Sequence, residues 1–134
     1  MNLGREEDAV IHELVDKYFT TINNNVKDKD VKVIIVGVIA PTKRNDYESL
    51  HGPITHQFPF IGTDEERVRF TYKVNKRLEE LSLQYGYYYF NPYTEHYTRP
   101  DGTLKFELSD NIVHLRDNRI FLEKFTELYK RIHR

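Results

Sequence analysis

The spacing of hydrophobic and polar residues predicts a helix at each end of the chain and two strands between them. Residues 6–24 place apolar side chains at helical spacing, with acidic residues in the first turn, where the helix dipole favours them. The predicted apolar face comprises Val10, Ile11, Leu14, Val15, Tyr18, Phe19 and Ile22. Residues 31–39 are nearly continuous in β-branched side chains, which is typical of a strand buried on both faces of a parallel sheet.

A second helix and a second strand follow further along the chain. The run Thr63-Asp-Glu-Glu66 matches a capping box, so a helix is expected to begin there. Gly86 lies where a left-handed C-cap belongs. The aromatic residues 87–90 then predict a strand, with Tyr87 and Tyr89 on one face and the two alternate residues on the other.

Two less regular segments complete the chain. Residues 40–62 hold three prolines and two glycines with little periodicity, which predicts a long loop. Residues 99–102, Arg-Pro-Asp-Gly, form a turn signal. A last helix is expected up to Ile132, capped by Asp117 or Asn118.

This order of elements predicts an α/β protein. A strand, a crossover helix and a second strand imply parallel pairing with a right-handed connection. The length of 134 residues suits one domain over residues 1–134. Two parallel strands make a small sheet, so the interpretation includes either further strands in residues 94–108 or a larger domain of which this chain is a part.

Composition narrows the classes of function. The net charge of −1 and the interspersed basic residues argue against a nucleic-acid or anionic membrane partner. Cysteine is absent, which excludes thiolate metal sites and cysteine nucleophiles. The first eight residues have neither a basic nor an apolar signal region, and the longest apolar run is too short to span a bilayer, so we expect a cytoplasmic protein.

The segment Ser109-Asp110-Asn-Ile-Val-His114-Leu carries the candidate chemistry. It follows the second strand and precedes the last helix. An aspartate and a histidine in this position resemble the last conserved block of the SGNH (GDSL-type) hydrolases. The strand that ends Val-Gly-Val-Ile-Ala-Pro41 is similar to the penultimate core strand of that family, and the likeness covers roughly residues 31–132.

The resemblance implies a flavodoxin-like three-layer fold, of which this chain is the C-terminal half. It also implies an ester hydrolase, acting on a small ester or an acetylated glycan, with Asp110 orienting the general base His114. The chain departs from the family in two ways. Three residues instead of two separate Asp110 from His114, and no serine follows a strand in a GDS-like block. The partners expected are therefore a missing N-terminal half or a second copy of the chain.

Further candidate residues surround this pair. His51 and His56 lie in the long loop after the first strand, where sites of α/β sheets form, and we assign them with Asn111 to substrate binding. A surface loop stiffened by proline and glycine explains the same two histidines. No ligand spacing for zinc is recognisable, so neither a metal nor another cofactor is expected.

A second interpretation needs no catalysis. Asp110 then caps a turn, His114 is an ordinary loop histidine, and the chain is a non-catalytic α/β module that binds a ligand or another protein chain. The missing serine and the small sheet favour this alternative, so whether the chain is an enzyme stays open at this point.

Overall fold

The computed structural model describes residues 3–55, 60–111, 114–116 and 118–133, and within them the chain forms four α-helices and a two-stranded sheet. The helices are α1 (Leu3–Val26), α2 (Arg44–His51), α3 (Asp64–Tyr85) and α4 (Arg119–Ile132), and a 3-10 turn spans Phe106–Leu108. The strands are β1 (Ile34–Val36) and β2 (Tyr88–Phe90). This mixture of helix and parallel strand agrees with the predicted α/β class.

The two strands pair in parallel, as the crossover helix predicts. The paired residues are Ile34 with Tyr88, Ile35 with Tyr89, and Val36 with Phe90. The ladder extends by one bond at each end, since the amide of Tyr88 donates to Val33 and that of Gly37 to Phe90. The first strand is shorter than the predicted residues 31–39. Pro92 lies two residues after β2 and has no amide hydrogen to continue the ladder.

The chain divides into two compact units that alternate along the sequence. Unit 1 comprises Met1–Gly37 and Tyr72–Phe90, and unit 2 comprises Val38–Thr71 and Asn91–Arg134. Each unit has its own buried hydrophobic cluster. That residues 1–134 make one domain stays a prediction.

The core of unit 1 joins α1 and α3 to one face of the sheet. Its buried members are Ile11, Val15, Phe19, Ile35, Leu78 and Leu81. Tyr87 and Tyr89 pack against this cluster, which confirms the alternation predicted for the second strand. The stacked rings of Phe19 and Tyr87 lie 6.0 Å apart.

The predicted apolar face of α1 is only partly buried. Ile11, Val15 and Phe19 enter the core, whereas the neighbouring stripe of Val10, Leu14 and Tyr18 is about half exposed. The seven apolar residues span about half of the helix circumference, which is wider than the stripe that a helix usually buries. Three of the seven residues on the predicted apolar face therefore stay partly exposed.

In unit 2, loops build the core. Ala40, Tyr97 and Leu104 are buried, with Leu108 and Leu115 packed against them. The predicted turn at residues 99–102 is confirmed, because the amide of Gly102 donates to Arg99 and Thr98 bridges Leu104 in antiparallel fashion.

Residues 40–62 are not a continuous loop, since α2 occupies Arg44–His51. This helix buries none of its residues, and its two large apolar side chains, Tyr47 and Leu50, are too few to show helical periodicity. Polar contacts hold it instead. The amide of Arg44 donates to Asp64 at 3.0 Å, and Asp46 forms an ion pair with Arg99.

The capping box at the start of α3 is confirmed. The amide of Glu66 donates to the Thr63 hydroxyl at 3.1 Å, and the amide of Thr63 donates to the Glu66 carboxylate at 3.2 Å. Gly86 follows the helix with a φ of 74°, the left-handed conformation expected of a C-cap.

The start of α4 is capped differently from the prediction. Asn118 occupies the N-cap position, but its side chain makes no capping hydrogen bond there, and Asp117 lies outside the described residues. The phenol oxygen of Tyr97 accepts a hydrogen bond from the amide of Phe121, the third residue of α4, at 3.2 Å. A buried tyrosine from another segment thus performs the role of a local cap.

Replacing Tyr97 with phenylalanine should therefore lower the free energy of unfolding by about 1 kcal/mol, the usual cost of losing a helix cap. Urea denaturation measures this change. The control is Tyr129→Phe, which removes an exposed hydroxyl from the same helix. Equal stability of the two variants would contradict a capping role for Tyr97.

Candidate functional site

Asp110 and His114 close a short antiparallel connection in unit 2. Ser109 bridges Leu115, and the amide of Asp110 donates to the carbonyl of His114 at 2.8 Å. The amide of His114 donates in return to the Asp110 carboxylate at 3.1 Å. The spacing of three intervening residues therefore does not prevent the two residues from meeting.

The side chains of this pair are also in contact. Oδ2 of Asp110 lies 3.3 Å from Nδ1 of His114. An ionised carboxylate only accepts hydrogen bonds, so Nδ1 carries the hydrogen, and in the neutral ring Nε2 is the nitrogen that accepts a proton. The His114 side chain is 76% exposed and that of Asp110 36% exposed, so water competes for this contact. The same bonds also suit an aspartate that closes a turn.

The three serines of the chain have other partners. Each hydroxyl donates to a main-chain carbonyl at 2.7 Å: Ser49 to Asp46, Ser82 to Leu78 and Ser109 to Phe106. Ser82 and Ser109 are buried as well. None of these hydroxyls is hydrogen-bonded to a histidine among the described residues, so the structure provides no activated serine there.

Two of the residues assigned to substrate binding contact each other. His51 is the last residue of α2, and its Nε2 lies 2.8 Å from the main-chain oxygen of Asn111. The imidazole also packs at a tilt of 35° against the ring of Tyr47, with ring centroids 4.4 Å apart. His56, the third residue of this assignment, lies outside the described residues.

Asn111 has a restrained backbone. Its φ of 71° places it in the left-handed region, which asparagine tolerates better than most residues. Its amide donates to the hydroxyl of Ser109 at 3.0 Å. Both main-chain polar groups of Asn111 therefore have partners, the carbonyl through His51 and the amide through Ser109.

A group of ion pairs holds α2 in unit 2. Besides Asp46 with Arg99, Lys43 contacts Asp101 at 3.3 Å. Within the helix, Arg44 donates to Glu48 at 2.6 Å, and this bond lowers the pKa of Glu48 from its ordinary value. The amide of Ile54 donates to the same carboxylate and also lowers the pKa of Glu48.

The described residues contain no group of three or more histidine, cysteine, aspartate or glutamate side chains able to hold a metal ion. Likewise, no helix in the described part of the chain is both long and apolar enough to cross a membrane. The chain matches no family model, no curated protein and no solved structure. The geometry of the chain itself is therefore the basis for a functional proposal.

One contact of the site is not predictable from the sequence. The bond from His51 to Asn111 joins residues far apart in the chain, and its acceptor is a main-chain oxygen, which every residue possesses. The only sequence signal was Asn111 itself, since asparagine after a polar residue in a loop is compatible with a positive φ.

The hydrogen bonds to the Asp101 carboxylate make the stability of the protein depend on pH. Folding lowers the pKa of Asp101 from 3.8 to about 2, mainly because the Thr103 hydroxyl and amide donate to it, with a smaller contribution from Lys43. A carboxyl whose pKa falls on folding stabilises the protein above pH 3.8, and that stabilisation is lost as the pH falls toward 2.

Thr103→Val should raise the pKa of Asp101 toward 3.8, because it removes the largest cause of the shift. The stability of this variant should then depend less on pH between those two values. Titration followed by the carboxyl ¹³C shift measures the pKa directly. Thr103→Ser keeps the hydroxyl and is the control, and an unchanged pKa of Asp101 in Thr103→Val would contradict this assignment.

Proposed function

We propose that this chain supplies the acid–base half of an ester hydrolase site of the SGNH type. The observation that carries the proposal is the contact between Asp110 Oδ2 and His114 Nδ1 at 3.3 Å, within the segment that resembles the family. A carboxylate on Nδ1 orients the imidazole and stabilises the imidazolium that forms when Nε2 takes a proton.

In this proposal His114 acts first as a base and then as an acid. It removes the proton of a serine hydroxyl as the oxygen attacks the acyl carbonyl, and it returns the proton to the departing alcohol. Because the chain's three serines donate to main-chain carbonyls, the nucleophile comes from a separate N-terminal half. The substrate is a small ester or an acetylated glycan.

The arrangement of unit 1 supports the proposal that the complete domain has a flavodoxin-like three-layer fold. Helices α1 and α3 cover the face of the sheet that carries Ile35. On the opposite face Phe90 is buried, but Ile34 and Tyr88 are half-buried and Val36 is exposed. A doubly wound sheet covers both faces with helices, so an additional layer and further strands would complete this one.

Without its serine the chain should hydrolyse p-nitrophenyl acetate only weakly, with His114 activating water. We expect His114→Ala to lower this turnover by about tenfold or less, well short of the ~10²–10⁴-fold of a complete general acid–base group. His133→Ala, which removes another exposed histidine, should leave turnover unchanged. A fluorophosphonate probe should label none of the three serines.

Two results would count against the proposal. Equal losses in His114→Ala and His133→Ala would mean that any surface imidazole gives the weak activity. Labelling of a serine that disappears in His114→Ala would show a complete triad within this chain and refute the missing nucleophile.

The second candidate function is a non-catalytic module that pairs with a second copy of itself. The exposed stripe of Val10, Leu14 and Tyr18 supports it. In an antiparallel pair of α1 helices with the two-fold axis at Leu14, Val10 faces Tyr18 of the partner copy. Glu13 and Lys17 lie beside the stripe and carry opposite charges, so Glu13 of one copy lies near Lys17 of the partner copy.

Sedimentation equilibrium separates the two candidates. A dimer that Leu14→Glu converts to a folded monomer supports self-association, and Leu122→Glu, at an exposed leucine on α4, is the matched control. A wild-type chain that is strictly monomeric excludes this module and leaves the hydrolase proposal standing.

A further inference from the structure

Two histidines of unit 2 face hydrogen-bond acceptors through different ring nitrogens. His114 faces a carboxylate through Nδ1, and His51 faces a carbonyl oxygen through Nε2. Both acceptors lack a hydrogen, so each of these nitrogens must carry one. In their neutral forms His114 is therefore the Nδ1–H tautomer and His51 is the Nε2–H tautomer.

Contacts other than the hydrogen bond to Asn111 also hold His51 in place. Its ring packs at a tilt against the ring of Tyr47, which in turn lies 5.1 Å from the buried ring of Phe60. The helix that carries it is fixed by the Asp46–Arg99 ion pair. The Nε2–H group is thus presented from a restrained helix end.

Asn111 transmits this restraint to Asp110. The two residues are adjacent, and the main chain of Asn111 is bonded at its carbonyl by His51 and at its amide by Ser109. The Ser109 hydroxyl is buried and donates onward to Phe106. A left-handed residue with bonds on both sides fixes the direction in which the preceding Asp110 leaves the turn.

We propose that His51 is a positioning residue, which fixes the main chain at Asn111 so that Asp110 meets Nδ1 of His114. That this positioning serves catalysis rests on the proposed function, but the positioning of Asp110 by His51 does not. His51 then has no contact with the reacting atoms. The assignment of His51 to substrate binding is replaced in this proposal by a role in the geometry of the Asp110–His114 pair.

The helix end of α4 provides a matched control. His133 follows α4 and packs at a tilt against Tyr129, four residues earlier, with ring centroids 4.3 Å apart. His51 packs at a tilt against Tyr47 with the same spacing in the chain. The His133 ring makes no hydrogen bond within the described residues, so His133→Ala removes a helix-end histidine and its ring contact but no hydrogen bond to another segment.

The test reads ring tautomers in the ¹⁵N-labelled chain, at about pH 9, where imidazoles are neutral. In the wild type we expect two-bond ¹H–¹⁵N spectra to show the Nδ1–H form for His114. His51→Ala should shift His114 toward the Nε2–H form and accelerate hydrogen exchange at its amide by about fivefold to tenfold, as expected for a lost neutral hydrogen bond.

His51→Gln should restore both signals, since its side-chain amide can donate to the same carbonyl, and His133→Ala should change neither. An unchanged His114 tautomer and exchange rate in a folded His51→Ala variant, checked by circular dichroism, would overturn the proposal. No ester is turned over in this test. A tautomer shift in His51→Ala, together with equal p-nitrophenyl acetate turnover of His114→Ala and His133→Ala in the separate assay, would therefore refute the hydrolase and retain the positioning role of His51.

Discussion

The antiparallel pairing of Ser109 with Leu115 is the interaction on which the candidate site depends. It brings the two ends of the connection together, so that Asp110 and His114 bond through main chain and side chain at once. Leu115 packs against the core of unit 2 and Ser109 is buried, which fixes both sides of the pairing. The exposed imidazole of His114 is thereby positioned by buried neighbouring residues, and its chemistry depends on how those residues pack.

Hydrogen bonds and ion pairs position much of this site. Helix α2 buries no residue of its own, yet it ends at His51, which reaches the turn that carries Asp110. Ion pairs near a surface contribute little stability one at a time, but several that converge on one short helix restrict its orientation. In unit 2 the hydrophobic core therefore supplies stability, while charges and hydrogen bonds supply the geometry.

Features encoded by neighbouring residues were predictable from the sequence. The capping box at Thr63, the left-handed Gly86 and the alternation of Tyr87 and Tyr89 depend on local spacing, and the structure confirms them. Helix α2 escaped prediction because Tyr47 and Leu50 are the only large apolar side chains among its eight residues, too few to make a periodic pattern. The hydrogen bonds that Tyr97 and His51 make were not predictable, because their partners are main-chain groups of distant segments. No pattern of side chains in the sequence marks such a group.

The alternation of the two units along the chain has a consequence for how the protein folds. Strand β1 is complete early, but its partner β2 follows only after the chain has passed through the first half of unit 2. Such long-range pairing raises the contact order, so slow, concerted folding is expected in preference to stepwise folding. No single cut in the chain separates the two units, because a fragment that ends at Phe90 keeps all of unit 1 together with the first segment of unit 2.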